Sequence, residues 1–415
     1  MEFKQASLEN GLTIVAEINQ SAASLAMGFF VRTGSRDEEP VEKIGGVSHF
    51  LEHMLFKGTE KRSALDINRE FDQMGAAYNA FTSEENTVYY AAVLPEFQTQ
   101  LLDLLGDMMR PALRKEDFET EKQVILEEIA LYQDRPQHRL AEKLMELHFG
   151  DHPLSHSVLG KPETIQSLRH EDMLEYFKQR YSPSNITLAA TGKVDWNALV
   201  DKAEQTCSQW EDYPVSRKIP PLNPSCKKES ILDEKLLREH IGMISPAPSA
   251  QDESRYAAAV MSTIIGDVTG SRLYYALIEP AIAEEASCVF EPMDGTGIFY
   301  TFICTTPDKA NKALQIAQDE YANFVKYGPT EQETIAAKNK IASAATLKGE
   351  LPMGRLTALG FDWIYRKEYK PLADEIERIL AITPEQVHEL ARQYDLNNAS
   401  ILTLGPGKQK QNPNT

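Results

Sequence analysis

The run His49-Phe50-Leu51-Glu52-His53 gathers the residue types that hydrolytic metal chemistry needs. On a helix turning about 100° per residue, positions 49, 52, 53 and 56 share one narrow arc, so both imidazoles reach one cation with Glu52 beside it. A histidine pair on a helix is often an ordinary core or surface pair. Here the neighbours Phe50, Leu51, Met54, Leu55 and Phe56 make the helix apolar nearly all round, which predicts burial. Two histidines and a glutamate in a buried arc would each cost several kcal/mol if unpaired, and one cation satisfies all three.

A hydrolytic metal site wants three protein ligands and one open position for water, so a third ligand is owed. Residues 118–134 read as a helix whose apolar face collects Val124, Ile125, Ile129 and Tyr132. Glu121 and Glu128 fall inside that face and Glu127 points away from it. Glu128 is the better ligand candidate, the bland alternative being two buried glutamates capped by arginine or backbone.

The H-x-x-E-H order is that of the inverzincins. With its flanks, Gly45-Gly46-Val47-Ser48 before and Met54-Leu55-Phe56-Lys57-Gly58-Thr59 after, it resembles the M16 family of pitrilysin, insulinase and the mitochondrial processing peptidase. The likeness covers essentially the whole chain and is closest to the short-chain bacterial branch. It implies Zn²⁺ as cofactor. The family's distal glutamate follows the second histidine by about 75 residues, and here 128 − 53 = 75. A second family glutamate seven positions earlier matches Glu121.

The roles follow from the chemistry. His49, His53 and Glu128 would hold Zn²⁺, and Glu52 would act as general base on zinc-bound water, then pass the proton to the departing amine. Glu121 joins Glu52 in the catalytic set, orienting a ligand or the base. The expected activity is that of a zinc endopeptidase acting on extended peptides or unfolded segments. A competing expectation is a noncatalytic or partner-dependent core subunit of an M16 heterodimer, which would have no physical need to keep a buried polar cluster.

Between the two metal-binding helices, residues 77–90 follow a helix closed by Gly75 and are rich in β-branched and aromatic types, predicting a strand pair or one long strand. In M16 enzymes the matching N-A-x-T strand binds substrate by main-chain pairing, which nominates Asn79, Ala80, Phe81 and Thr82. An exposed edge would suit loose sequence preference; an interior strand is the alternative.

The wider chain predicts an α+β protein of two homologous domains, each an antiparallel sheet packed with helices. Residues 170–181 and then 185–192 form a helix, a turn, a strand and a glycine, and residues 384–394 and then 399–405 repeat that unit. The expected division is a catalytic domain at 1–214, a proline-rich linker at 215–228, a second domain without metal motif at 229–408, and a polar tail at 409–415. The resemblance implies half of a clam-shell chamber, completed by a homodimer or a heterodimer. One departure from the family stands out. Ser271-Arg272-Leu273 is present, but Ile278 and Glu285 occupy positions where many members carry a substrate-reaching arginine and tyrosine, and Arg272, Tyr274 and Tyr275 do not simply replace them.

Other signals exclude more than they assign. His148, His152 and His156 recur every fourth residue, but Gly150 and Pro153 break a helix there and predict a loop. No G-x-S-x-G or P-loop pattern occurs. A net charge of −19 disfavours nucleic acid and anionic membranes and would favour basic peptides. No stretch approaches 18 apolar residues, no signal peptide is legible, and the four cysteines lack metal spacing or the density of a secreted scaffold. Cytoplasmic residence is the expectation.

Overall fold

Segments rich in β-branched and aromatic residues build two sheets, each covered by helices that turn an apolar face toward it. The computed structural model describes residues 1–222 and 226–407. The chain divides into two units. One comprises Met1–Leu131, His156–Lys218 and Thr346–Lys370; the other comprises Tyr132–Ser155, Ile219–Ala345 and the segment from Pro371 onward.

The first unit holds β1 (Glu2–Ser7), β2 (Thr13–Ile18), β3 (Leu25–Val31), β4 (Ala77–Thr82), β5 (Thr87–Val93) and β6 (Ile186–Gly192), in the order β1-β2-β6-β3-β5-β4. The second holds β7 (Lys228–Leu232), β8 (Glu239–Ala247), β9 (Glu285–Pro292), β10 (Gly297–Thr305) and β11 (Ser400–Gly405), in the order β7-β11-β8-β10-β9. Once β1 is set aside, the two orders are the same. In each unit the last strand inserts between the first two of the shared pattern, β6 between β2 and β3, and β11 between β7 and β8. Those flanking strands run in opposite directions, so the inserted strand must be parallel to one of them. It pairs parallel with β2 in the first unit and with β7 in the second, and among the described residues every other strand pairing is antiparallel. The helix-then-strand repeat appears as His170–Arg180 before β6 and Pro384–Gln393 before β11.

The units are not contiguous stretches of sequence. Whereas the expected boundaries keep 1–214 and 229–408 whole, the contacts assign Tyr132–Ser155 to the second unit and return Thr346–Lys370 to the first. Packing explains the return. Leu356, Leu359, Trp363 and Ile364 of the Pro352–Arg366 helix form one buried cluster with Val15, Ala26, Phe30 and Ala189 of the first sheet. Gly360 permits that approach, because a Cβ there would stand 2.2 Å from the Phe30 ring. Arg355 clamps the helix with a two-pronged ion pair to Glu17, one prong at 2.7 Å, and Tyr369 donates to the same carboxylate at 2.9 Å.

Part of the expected linker is likewise held. Residues 215–222 have no regular structure, yet Arg217 Nη2 lies 2.7 Å from Asp37 Oδ2 inside the first unit. The expected 409–415 tail lies outside the described residues. The three spaced histidines form no stripe, as Pro136–Phe149 is a helix that ends before Gly150. His148 is its penultimate residue, and His156 Nδ1 meets the Ser35 carbonyl at 3.0 Å.

Candidate metal centre

The H-x-x-E-H run occupies the Val47–Met54 helix, and its start is set by backbone chemistry. Gly46 at its N-cap has φ 92°, and a Cβ there would stand 2.7 Å from the Leu159 carbonyl oxygen, so only glycine fits. Glu38 supplies the cap from outside the helix. Its carboxylate accepts from Gly46 N at 2.7 Å and Ser48 N at 2.8 Å. Burial pushes its pKa up to about 8 against those bonds. Ser48 Oγ also meets Tyr176 OH at 2.8 Å, fixing the helix against His170–Arg180.

The second helix of the candidate site is Lys115–Gln133. Phe118 stacks on Phe50 with ring centroids 4.9 Å apart, locking the register between the two helices. The buried face is Phe118, Glu121, Ile125 and Ile129; Val124, expected on it, is 42% exposed. The cause is the narrowness of the covered stripe, which excludes a residue one position from Ile125. Glu128 sits at the border of that stripe, half-buried, and Glu127 is exposed.

His49, His53 and Glu128 each offer a donor atom, and the three atoms lie within 4.8 Å of one another. Glu128 Oε2 is 3.7 Å from His49 Nε2 and 3.5 Å from His53 Nε2, beyond ordinary hydrogen-bond length. Ligands of a tetrahedral zinc ion stand about 3.4 Å apart, so two imidazole nitrogens and a carboxylate oxygen at these spacings fit that metal. His49 Nδ1 is buried without a hydrogen-bond partner, and burial, assisted by the neighbouring His53, pulls the His49 pKa down to about 3. A neutral imidazole with a free lone pair is the ligand form.

His53 is oriented from behind. Its Nδ1 donates to Glu121 Oε1 at 2.9 Å, which leaves Nε2 as the lone-pair nitrogen. Lys57 pairs with the other Glu121 oxygen. Burial disfavours the charged forms of both His53 and Glu121, but the bond between them and the surrounding charges outweigh it. The histidine is held above and the carboxyl below its ordinary range.

Glu52 stands apart from this set. Thr82 Oγ1 donates to its Oε2 at 2.6 Å, and Oε1 has no protein partner among the described residues. Burial raises the Glu52 pKa, opposed in part by that bond. A carboxylate of raised basicity beside two imidazoles is equipped to accept a proton from water.

Of the other sequence candidates, Asn79, Ala80, Phe81 and Thr82 lie on β4, an edge strand of the first sheet. Asn79 Oδ1 accepts from Ala80 N at 2.9 Å, and Phe81 lies 6.2 Å from both Tyr90 and Phe361, ring to ring. In the second unit, Arg272 bonds Glu333 at 2.7 Å and the Gly328 carbonyl at 2.9 Å. Ile278 closes the Tyr274–Ile278 π-helical turn, and Glu285 begins β9. Sequence reasoning missed Glu38, Lys57 and the bond from Thr82. Lys57 alone left a signal, being four residues beyond His53.

Comparison with known proteins gives the family of the chain. Residues 13–162 match the family model described as insulinase (peptidase family M16), and residues 167–341 match the peptidase M16 inactive domain. A Streptomyces coelicolor protein named an uncharacterized zinc protease is 30% identical over 421 residues, spanning 98% of this chain and 90% of the relative. The chain belongs to the M16 peptidase family. A Bacillus subtilis M16 relative, also named an uncharacterized zinc protease, is 28% identical over 413 residues, covering 97% of this chain and 98% of its own length. The M16 fold recurs in the crystal structure of a protease from Helicobacter pylori, with a TM-score of 0.89 at 18% identity over 98% of this chain and 99% of that one.

Proposed function

We propose that this M16 chain is a zinc endopeptidase that cleaves extended peptides and unfolded segments. The observation that carries the reading is the convergence of His49, His53 and Glu128 donor atoms within 4.8 Å, with Glu52 one helical turn from His49 and outside the ligand set. Zinc, when bound, supplies a Lewis-acidic position that brings the pKa of a water toward neutrality and polarises the scissile carbonyl.

The residues of the chain do the rest. Glu52 accepts the proton of the attacking water at its free Oε1 and returns it to the departing amine nitrogen, while the Thr82 hydroxyl keeps Oε2 in place. Glu121, neutralised by Lys57, holds the His53 Nδ1 proton so that Nε2 keeps its lone pair. The edge of β4 offers unpaired backbone groups to an extended peptide, with Ala80 N–H held by Asn79 Oδ1 until a substrate carbonyl takes its place. A folded domain keeps its own backbone groups in its sheets and helices and cannot pair there.

The second domain carries no H-x-x-E-H and acts as a structural and substrate-contacting partner. A homodimer is the proposed assembly, resting on the family resemblance; light scattering at micromolar concentration should give twice the chain mass. Cytoplasmic residence accompanies the reading, supported by the free cysteines Cys207, Cys226, Cys288 and Cys304 and by the lack, among the described residues, of any helix long and apolar enough to cross a membrane.

The test is hydrolysis of a mixed peptide library before and after chelation, with zinc added back, beside Glu52→Gln. Activity should vanish with the metal, return with zinc, and be absent from a Glu52→Gln protein that still holds zinc. Chelator-resistant cleavage would overturn the assignment. A wild-type chain that binds zinc but cleaves nothing would favour the noncatalytic-subunit reading.

A further inference from the structure

Arg110 is a half-buried guanidinium with no acid to balance it. It follows the Gln98–Met108 helix, lies 4.0 Å above the Trp210 ring and 5.9 Å from the Phe177 ring, and donates Nη1 to the Met109 carbonyl at 2.7 Å. Among the described residues no carboxylate comes within ion-pair distance of it, and its other N–H groups have no protein partner. The other buried arginines of the same unit are treated differently. Arg36 is paired with Glu85, Arg180 and Arg217 with Asp37, and Arg355 with Glu17. Burial lowers the Arg110 pKa to about 10, which still leaves it cationic at neutral pH.

The uncompensated charge lines a cleft of about 450 Å³, within the range of small-molecule sites and sharing no residue with the metal centre. Lys178 brings a second cation to the rim, and Leu174, Phe177 and Tyr213 give apolar walls. Glu211, the one acid of the lining, is engaged by the Tyr213 hydroxyl. A desolvated cation left without a counter-charge is costly, and cation–π contact with Trp210 offsets only part of that cost. What Arg110 lacks is an anionic partner.

We propose that it binds a small organic carboxylate, the acid group on Arg110 and the apolar body against Leu174, Phe177 and Tyr213. Guanidinium recognises carboxylate through paired N–H donors, and the unpartnered N–H groups of Arg110 are available for that geometry. The same chemistry has two sources, a free aromatic or aliphatic acid and the C-terminus of a short peptide.

Trp210 lies in the cleft, so its fluorescence, checked by calorimetry, reports binding to the intact zinc-loaded protein. The probes are 2-naphthoate against 2-naphthamide, and a dipeptide ending in phenylalanine against its C-terminal amide. At least one acid should bind saturably, and its amide at least about tenfold more weakly; which acid wins identifies the source. Arg110→Gln should cost a similar factor. Should that variant fail to fold, Lys178→Gln on the exposed rim takes its place and should weaken the acid at least about threefold. Equal binding of acid and amide, no saturable binding of either acid, or unchanged affinity in the folded variant would overturn the proposal.

Discussion

Thr82 Oγ1 donates to Glu52 Oε2 at 2.6 Å, so β4, proposed to receive substrate, and the Val47–Met54 helix, which carries the proposed base, are joined by a hydrogen bond. Because that bond lowers the Glu52 pKa against burial, removing it should raise the pKa further. The proposed base works deprotonated, so Thr82→Val should move the acid limb of the kcat/KM profile to higher pH and lower kcat roughly tenfold. Thr82→Ser should restore both. A pH–rate profile of the two variants decides it, and an unmoved acid limb in Thr82→Val would remove Thr82 from the machinery.

The ligand set makes a sharper demand. His49→Ala, His53→Ala and Glu128→Gln should each lose zinc and hydrolysis together, since each removes one of the three atoms proposed to hold the metal. Glu127→Gln should be nearly silent because its side chain is exposed. Elemental analysis after dialysis reads the outcome, and zinc retained by Glu128→Gln would disqualify it as a ligand.

Orientation of His53 depends on a chain of three residues, Lys57 to Glu121 to His53. Breaking it with Glu121→Gln should weaken zinc affinity roughly 10–100-fold without removing a ligand. Lys57→Met should act in the same direction and less strongly. Competition with a chromogenic chelator measures both, and wild-type affinity in Glu121→Gln would reduce Glu121 to packing.

Glu38 predicts a stability effect with a defined sign. In the folded chain it takes up a proton below about pH 8, whereas the unfolded value is the ordinary 4.5. Between those values the folded state binds the extra proton, so stability should fall as pH rises through that window and level off above it. Glu38→Gln should lose a cap bond yet show a flatter slope. Urea unfolding from about pH 5 to about pH 9 compares them, and equal slopes would show that Glu38 does not titrate in that window.

Substrate form should matter more than substrate sequence. One polypeptide offered folded and denatured, with the same scissile bond, should be cut only in the denatured form. Ala80→Pro removes an edge donor while leaving a strand that tolerates proline, and should lower kcat/KM on extended peptides by about tenfold. An unchanged rate would show that β4 is not the docking edge.

The convergence of His49, His53 and Glu128 was legible because helical periodicity converts spacing into direction. His49, His53 and Glu128 each lie on a helix face that a wheel locates, and a separation of 75 positions between His53 and Glu128 does not blur that reading. Glu38 was not legible, since nothing local says that an acid eight residues before Gly46 will fold back to meet its N–H. The same limit hid the Thr82 bond, which depends on how a sheet edge packs against a helix. The twofold repeat was visible from its helix–strand–glycine endings. The parallel pairs were not, because strand insertion is a property of topology and leaves no mark on composition.

The Pro352–Arg366 helix closes a sheet whose last strand ends 160 residues earlier, at Gly192. A ribosome therefore completes all six strands of the first unit long before it delivers the cover for Val15, Ala26, Phe30 and Ala189. Until then that apolar surface faces water, and Glu17 waits for Arg355. A fragment cut at residue 214 would hold all the residues proposed as ligands and base yet lack the Pro352–Arg366 cover of their sheet. The candidate site is encoded early and its sheet is covered late, so truncation after residue 214 should separate the site from the packing that supports it.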